Sequence, residues 1–139
     1  LVGSGMLIRD SSLLARHLDE SLPDTTRMQA LLGLGRTSYR YASLLYFYQK
    51  FAAVIERVGT PVDVVEHNLQ KGGAYFRTDK INEALNCFSI AEKGAAALRD
   101  TMRLLRTLGW QGNCYGSIKN VYLSIEKYQE AKALAEKIG

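Results

Sequence analysis

The sequence has few of the residues that break helices or build chemical sites. There are two prolines, Pro23 and Pro61, so long helices are permitted, because proline removes a backbone donor and clashes with the preceding helical turn. There are also two cysteines, Cys87 and Cys114, and their separation gives neither metal-ligand spacing nor a disulfide framework. We therefore expect free thiols in a reducing compartment, and neither a metal nor a cofactor.

Long apolar runs and targeting signals are also missing. The most hydrophobic stretch, residues 41–55, contains Gln49 and Lys50 and is shorter than the roughly 20 apolar residues that a membrane span needs. No basic start followed by an apolar block resembles a secretion signal. These absences predict a cytoplasmic protein without a membrane partner. Two interpretations of residues 1–5 stay open: a remnant of an expression vector ahead of a native start at Met6, or natural sequence.

The charge and size of the chain set broad bounds on its function. Its formal net charge is +4, but its Lys and Arg residues are not clustered with interleaved aromatics as nucleic-acid binding would require. We therefore expect no nucleic-acid partner, and at most a mild preference for acidic ones. A hydrophobic fraction of 47% over 139 residues is typical of one folded domain.

Signals for catalysis are weak. His17 and His67 are lone histidines with no second ligand at helical spacing. The stretch of residues 33–38 lacks both the lysine and the preceding strand of a phosphate-binding loop. No Ser-His-Asp or Cys-His grouping can be argued from spacing. The sequence therefore predicts a protein that is not an enzyme.

The spacing of apolar residues predicts an all-α fold. Apolar residues recur at three- and four-residue steps nearly throughout the chain. Capping and breaking residues, such as the segment from Gly59 to Pro61, divide this pattern into helices. The predicted helices cover about residues 10–22, 24–40, 44–58, 63–77, 79–108, 111–124 and 126–138.

The predicted helices also share an internal pattern. A small residue is followed three positions later by Tyr or Ser, nine positions further by an apolar residue, and then by two more at steps of four and three. A small residue lets two helices of a hairpin approach, and an aromatic side chain fills the space beside it. Three windows are aligned on this pattern: Gly72, Tyr75, Ala84, Phe88 and Ala91; Lys119, Tyr122, Ala131, Ala135 and Ile138; and Gly35, Ser38, Phe47, Phe51 and Val54.

The windows resemble the consensus of the tetratricopeptide-repeat family, which has Gly, Tyr, Ala, an aromatic residue and Ala at these offsets. The window from Gly72 matches at all five positions, whereas Lys119, Ser38 and Phe47 depart from the consensus. The repeats are longer than the family's usual length of about 34 residues, and are similar to a variant of roughly forty residues found in cell-polarity scaffolds. The resemblance covers about residues 29–139. It implies an α-solenoid of about three antiparallel hairpins, near residues 28–58, 63–108 and 111–139, with an extra N-terminal helix, in a single domain of residues 6–139.

The resemblance also implies a function. Members of this family act as adaptors or scaffolds that hold a partner's peptide in a concave groove lined by the first helix of each hairpin. Guanidinium groups in such a groove favour carboxylates, so we expect a protein or peptide partner with acidic residues. The groove positions carried over from the family are Arg36, Tyr39, Arg40, Gln70, Phe76, Arg77 and Asn120.

Other interpretations stay open at this point. The chain is alternatively a structural subunit whose groove mediates self-assembly or assembly into a larger complex, so a monomer and weak self-association are both expected states. It is also alternatively a fragment of a longer array. Arg99, Arg103 and Arg106 lie at steps of four and three on the predicted helix of residues 79–108. They form either a solvated helix face or a docking strip for an acidic partner.

Overall fold

The chain folds into helices over the part that the structure describes. This computed structural model describes residues 8–36 and 41–139, and the side chains of residues 12–35 and 44–139. No strand occurs within these ranges, so the all-α prediction is confirmed for them, and none of their helices has the length and apolar character that crossing a bilayer requires. The helices are α1 (Ile8–Leu18), α2 (Asp24–Arg36), α3 (Tyr41–Val58), α4 (Pro61–Arg77), α5 (Ile81–Ala97), α6 (Thr101–Ser117) and α7 (Val121–Ile138).

The prediction of one long helix over residues 79–108 is wrong. The chain turns at Leu98, Arg99 and Asp100, and α6 begins directly after them. Arg99 has a φ of 53°, and the side chain of Asp100 accepts a hydrogen bond from the backbone N–H of Arg103. Neither glycine nor proline marks this turn in the sequence, whereas Gly109, next to the predicted helix end, lies inside α6.

The helices follow one another at a regular interval. Helices α3 to α7 begin at residues 41, 61, 81, 101 and 121. The last three turns are each three residues long, and their middle residues, Asp79, Arg99 and Lys119, have positive φ values of 63°, 53° and 63°. In each turn the next residue donates its N–H to a carbonyl five positions back, which satisfies the end of the helix.

This interval places α4–α5 and α6–α7 in register as a 40-residue repeat. The window predicted from Lys119 is therefore displaced, because Lys119 lies in a turn and Gly112 is the small residue of that hairpin. In α3, the counterparts of Ala84, Phe88 and Ala91 in this register are the buried Leu44, Tyr48 and Phe51, whereas the predicted Phe47 and Val54 are only partly buried. The corresponding pairs of the repeat are Gly72 and Gly112, Tyr75 and Tyr115, Ala84 and Ser124, Phe88 and Tyr128, and Ala91 and Ala131.

Glycine allows the helices of both hairpins to approach closely. A Cβ atom on Gly72 would lie 2.6 Å from the ring of Phe88, and one on Gly112 would lie 2.5 Å from the ring of Tyr128. Ala84, Phe88 and Ala91 are fully buried on α5. The packing predicted for the window from Gly72 is therefore confirmed.

Two hydrophobic clusters fill the interior of the described chain. The first joins α1, α2 and α3, and includes Leu14, Leu31 and Tyr48. The second joins α4, α5 and α6, and includes Leu69, Phe88 and Cys114. Each helix packs against the next, and α4 also contacts both α2 and α6. As a result α2, α4 and α6 lie side by side along one face.

Candidate partner-binding groove

Helices α2, α4 and α6 surround a recess of about 140 Å³ on the face that they share. Two of the residues predicted for the groove, Gln70 and Arg77, line this recess. Its walls also include two residues of α6 that were not among the predicted groove positions: Arg106, which the sequence placed in the row of three arginines, and Trp110. The full lining is Gly35, Leu44, Tyr48, Leu69, Gln70, Gly73, Ala74, Arg77, Arg106 and Trp110.

Gln70 ties the floor of the recess together. Its Nε2 donates hydrogen bonds to the carbonyl of Leu32, at 3.0 Å, and to Oε1 of Glu66, at 3.3 Å. Its Oε1 accepts a hydrogen bond from the hydroxyl of Tyr48 at 2.7 Å. The amide group of Gln70 already joins α4 to α2 and α3. Gln70 therefore positions the helices that form the groove, and its hydrogen-bonding groups are used within the chain.

Trp110 and Arg77 form an aromatic and cationic wall. The guanidinium carbon of Arg77 lies 4.7 Å from the centroid of the indole ring, within range of a cation–π interaction. The indole also stacks on Phe88, with ring centroids 5.5 Å apart. A Cβ atom on Gly73 would lie 3.2 Å from this ring, so glycine leaves room for Trp110 against α4. The wall therefore offers a flat apolar surface beside a positive charge.

A buried carboxylate lies among the arginines of α6. Oε2 of Glu66 accepts hydrogen bonds from Nε of Arg103, at 2.9 Å, and from Nη1 of Arg106, at 3.2 Å. Burial by itself would raise the pKa of Glu66. The hydrogen bond and charge of Arg106, with hydrogen bonds from Arg103 and Gln70, outweigh burial and hold the pKa of Glu66 below its usual value. Glu66 is thus ionised at neutral pH and joins α4 to α6.

This network distinguishes the roles of the three arginines predicted to share one helix face. Arg103 and Arg106 point to Glu66, and Arg103 also pairs with Asp100 at 2.8 Å. Arg99 lies in the turn between α5 and α6. The three residues therefore form no continuous strip, and Glu66 neutralises part of the positive charge expected on this face.

Comparisons of the chain with family models, curated proteins and solved structures found no match. The tetratricopeptide-repeat assignment consequently stays a prediction that depends on the sequence pattern and the helix geometry.

The other residues predicted for the groove divide into two groups. Phe76 is partly buried against the second core and makes a T-shaped ring contact with Trp110, and Asn120 caps α7 by accepting a hydrogen bond from the N–H of Leu123 at 3.2 Å. Tyr39 and Arg40 lie outside the described residues, as does the side chain of Arg36. The predicted convergence of Arg36, Arg40 and Arg77 therefore stays a prediction.

A signal for the two missed residues is present in the sequence. With the 40-residue register, Arg106 corresponds to Glu66 and Trp110 corresponds to Gln70. The prediction of a single helix over residues 79–108 hid this register.

Other chemistry is sparse in the described chain. No group of three or more side chains in residues 12–35 and 44–139 is arranged to hold a metal ion. Cys87 and Cys114 are free and buried, which confirms the expectation of free thiols. Burial raises the pKa of Cys114 to about 11, so this thiol stays protonated and unreactive at neutral pH.

Proposed function

We propose that the chain is a tetratricopeptide-repeat protein of the forty-residue kind, with its hairpins stacked as an α-solenoid. Three observations support this assignment: helices that begin every 20 residues from α3 onward, glycines that let each hairpin close on an aromatic ring, and contacts of α4 with both α2 and α6. Contacts between alternate helices are expected when hairpins stack in one direction, because each repeat then buries its surface against its neighbours.

We further propose that the chain is an adaptor that binds an extended segment of a partner protein along α2, α4 and α6. The observation that carries this proposal is the recess walled by Arg77, Arg106 and Trp110. Few polar groups beside a flat aromatic surface are typical of a recognition site. The recess gives the segment a place to insert one side chain.

The charges around the recess favour an acidic side chain at that place. Arg103 and Arg106 share the single carboxylate of Glu66, and 49% of the Arg106 side chain remains exposed. A guanidinium group has five N–H donors, so Arg106 has donors left for a second carboxylate. A ligand Asp or Glu therefore adds a charge-assisted hydrogen bond without displacing Glu66.

The substitution Arg106→Gln tests this proposal. Binding would be measured by titration calorimetry with ten-residue peptides first selected on the wild-type chain from a library with equal numbers of acidic and basic members. We expect the selected peptides to be enriched in Asp and Glu. The variant should bind them roughly five to thirty times more weakly, since a charge-assisted hydrogen bond contributes about 1–2 kcal/mol.

Lys93→Gln is the matched control, because Lys93 is exposed on α5 and does not line the recess. It removes one positive charge from the chain and should leave affinity unchanged at moderate salt. Equal affinities of the wild type and Arg106→Gln, or equal selection of basic and acidic peptides, would contradict the acidic-ligand proposal.

A further inference from the structure

A larger recess, of about 230 Å³, lies between α1, α2 and α3. It shares no lining residue with the recess of the groove. A cavity of about 150 Å³ is enough for a benzene molecule, whereas sites for drug-sized ligands generally exceed about 300 Å³. The recess between α1, α2 and α3 therefore has the size for one substituted ring.

His17 is the most buried residue that lines this recess. Only 3% of its surface is exposed, and its Nδ1 lies 3.2 Å from the carbonyl oxygen of Arg27. A carbonyl oxygen only accepts hydrogen bonds, so Nδ1 carries the ring proton and Nε2 of the neutral ring is an acceptor. Burial lowers the pKa of His17, which keeps the ring neutral at pH 7. Among the described residues Nε2 has no hydrogen-bond partner, so it is a buried acceptor that a ligand can use.

Two aromatic rings of α3 stand beside His17. The ring centroids of Phe47 and Phe51 lie 5.0 Å and 5.1 Å from that of His17, and both rings are nearly perpendicular to it. Phe47 and Phe51 are one helical turn apart, and both line the recess. Flat apolar walls of this kind suit an aromatic ring, which packs against other rings face to face with an offset or edge to face.

Two cations lie near these rings. The guanidinium carbon of Arg27 is 5.2 Å from the ring centroid of Phe51, and Lys50 lines the recess with its side chain exposed to solvent. Nη1 of Arg27 lies 3.9 Å from a carboxylate oxygen of Asp24, at the outer limit of an ion pair. Glu20 also lines the recess, so the lining has two cations and one carboxylate. The recess thus favours an anionic group on its open side.

We propose that this recess binds a free, single-ring organic acid that carries a hydroxyl group on the side of the ring remote from its carboxylate. The ring of the ligand lies against Phe47 and Phe51. Its hydroxyl donates a hydrogen bond to Nε2 of His17, and its carboxylate pairs with Arg27 and Lys50. Binding of a small molecule at this place is independent of the adaptor function proposed for the groove.

The probe is 4-hydroxyphenylacetate, titrated into the isotopically labelled 139-residue chain while amide chemical shifts are recorded. We expect saturable shifts that are largest in α1, α2 and α3, and no shift of the indole N–H of Trp110 in the groove. Phenylacetate, which lacks the hydroxyl, should bind roughly threefold or more weakly, because it makes one hydrogen bond fewer. 4-Hydroxybenzyl alcohol, which lacks the carboxylate, should bind about tenfold more weakly, because it loses charge-assisted hydrogen bonds.

Three variants test the residues of the recess. Lys50→Gln should weaken binding of the probe by roughly fivefold, since it removes one of two cations. Lys93→Gln removes an exposed cation of α5 and is the matched control, and Arg106→Gln removes a cation of the groove; both should bind the probe as the wild type does. His17→Asn keeps an N–H donor for the carbonyl of Arg27 but removes the Nε2 acceptor, so it should bind the probe and phenylacetate equally.

Four results would overturn the proposal. The first is the absence of saturable shifts, which is the outcome if a segment of the chain itself fills the recess. The second is a set of shifts around Trp110 that Arg106→Gln removes, because the acid would then bind in the groove. The third is equal affinity of the wild type for the probe and phenylacetate, because His17 would then not accept a hydrogen bond from the ligand. The fourth is unchanged binding by Lys50→Gln.

Discussion

At the scale of single residues, His67 on α4 shows how burial sets a chemical property. Only 2% of its surface is exposed, and neither ring nitrogen has a hydrogen-bond partner among the described residues. Burial, helped by the positive charge of Lys71, lowers the pKa of His67 from 6.5 to about 3. The unfolded chain therefore binds one more proton than the folded chain between these values, and stability falls as the pH falls below about 6.5.

Replacing His67 by leucine should remove most of this pH dependence. The wild type should lose about 1 kcal/mol of unfolding free energy between pH 7 and pH 5.5, because each pH unit below the unfolded pKa costs up to about 1.4 kcal/mol. His67→Leu should lose clearly less, with His17, whose pKa burial also lowers, contributing the remainder. Urea unfolding at both pH values measures this difference. Equal losses in the two proteins would mean that His67 does not titrate in this way.

The sequence identified His67 only as a lone histidine with no second ligand at helical spacing. It did not predict the burial of the ring or its edge contact with Tyr48, whose centroid is 5.3 Å away. Helical periodicity alone does not tell which polar side chain on a helix another helix will cover.

At the scale of helices and their connections, the two hairpin glycines give a matched comparison. Gly72→Ala should destabilise the protein, since overpacking against the buried ring of Phe88 costs about 1–3 kcal/mol and alanine's better helix propensity returns only about 1 kcal/mol. Gly112→Ala should be close to neutral, because Tyr128 is partly exposed and has room to move. Urea unfolding of both variants tests the pair. A larger loss for Gly112→Ala would contradict this account of the packing.

The turns at Asp79, Arg99 and Lys119 are strained, because a side chain in the left-handed region brings Cβ close to a carbonyl oxygen. Lys119→Gly should raise the free energy of unfolding by roughly 0.5 kcal/mol, after allowance for the greater freedom of glycine in the unfolded chain. Lys93→Gly, in the interior of α5, is the control and should lower it by about 1 kcal/mol. Thermal unfolding followed by circular dichroism would show the opposite shifts. A lower free energy of unfolding for Lys119→Gly would contradict the proposal that the backbone at Lys119 is strained.

At the scale of the whole molecule, the adaptor proposal predicts a monomer. Light scattering at micromolar concentration should give a mass near 15.5 kDa. Weak association at high concentration is compatible with this expectation. A tight dimer would instead support the alternative of a structural subunit that assembles with its own copies.

The sequence by itself determined the helical fold class and the packing of one hairpin. Helix formation depends on neighbours three and four positions apart, so the apolar period is readable without a structure. The window from Gly72 to Ala91 was also readable, because it records a close contact between two helices joined by a short turn. The ends of α3 and α4, at Val58 and Arg77, were marked by local breaking and capping residues and were predicted correctly.

Only the tertiary structure decided the register of the second repeat and the make-up of the groove. The turns at Arg99 and Lys119 contain no glycine, and their local signs are only the N-cap residues Asp100 and Asn120, which the helical apolar period on both sides obscures. Glu66 and Arg106 are 40 residues apart, and nothing near either residue indicates that α4 and α6 bring them together. Such pairs form because neighbouring helices bury each other's surfaces, and that burial depends on the whole fold.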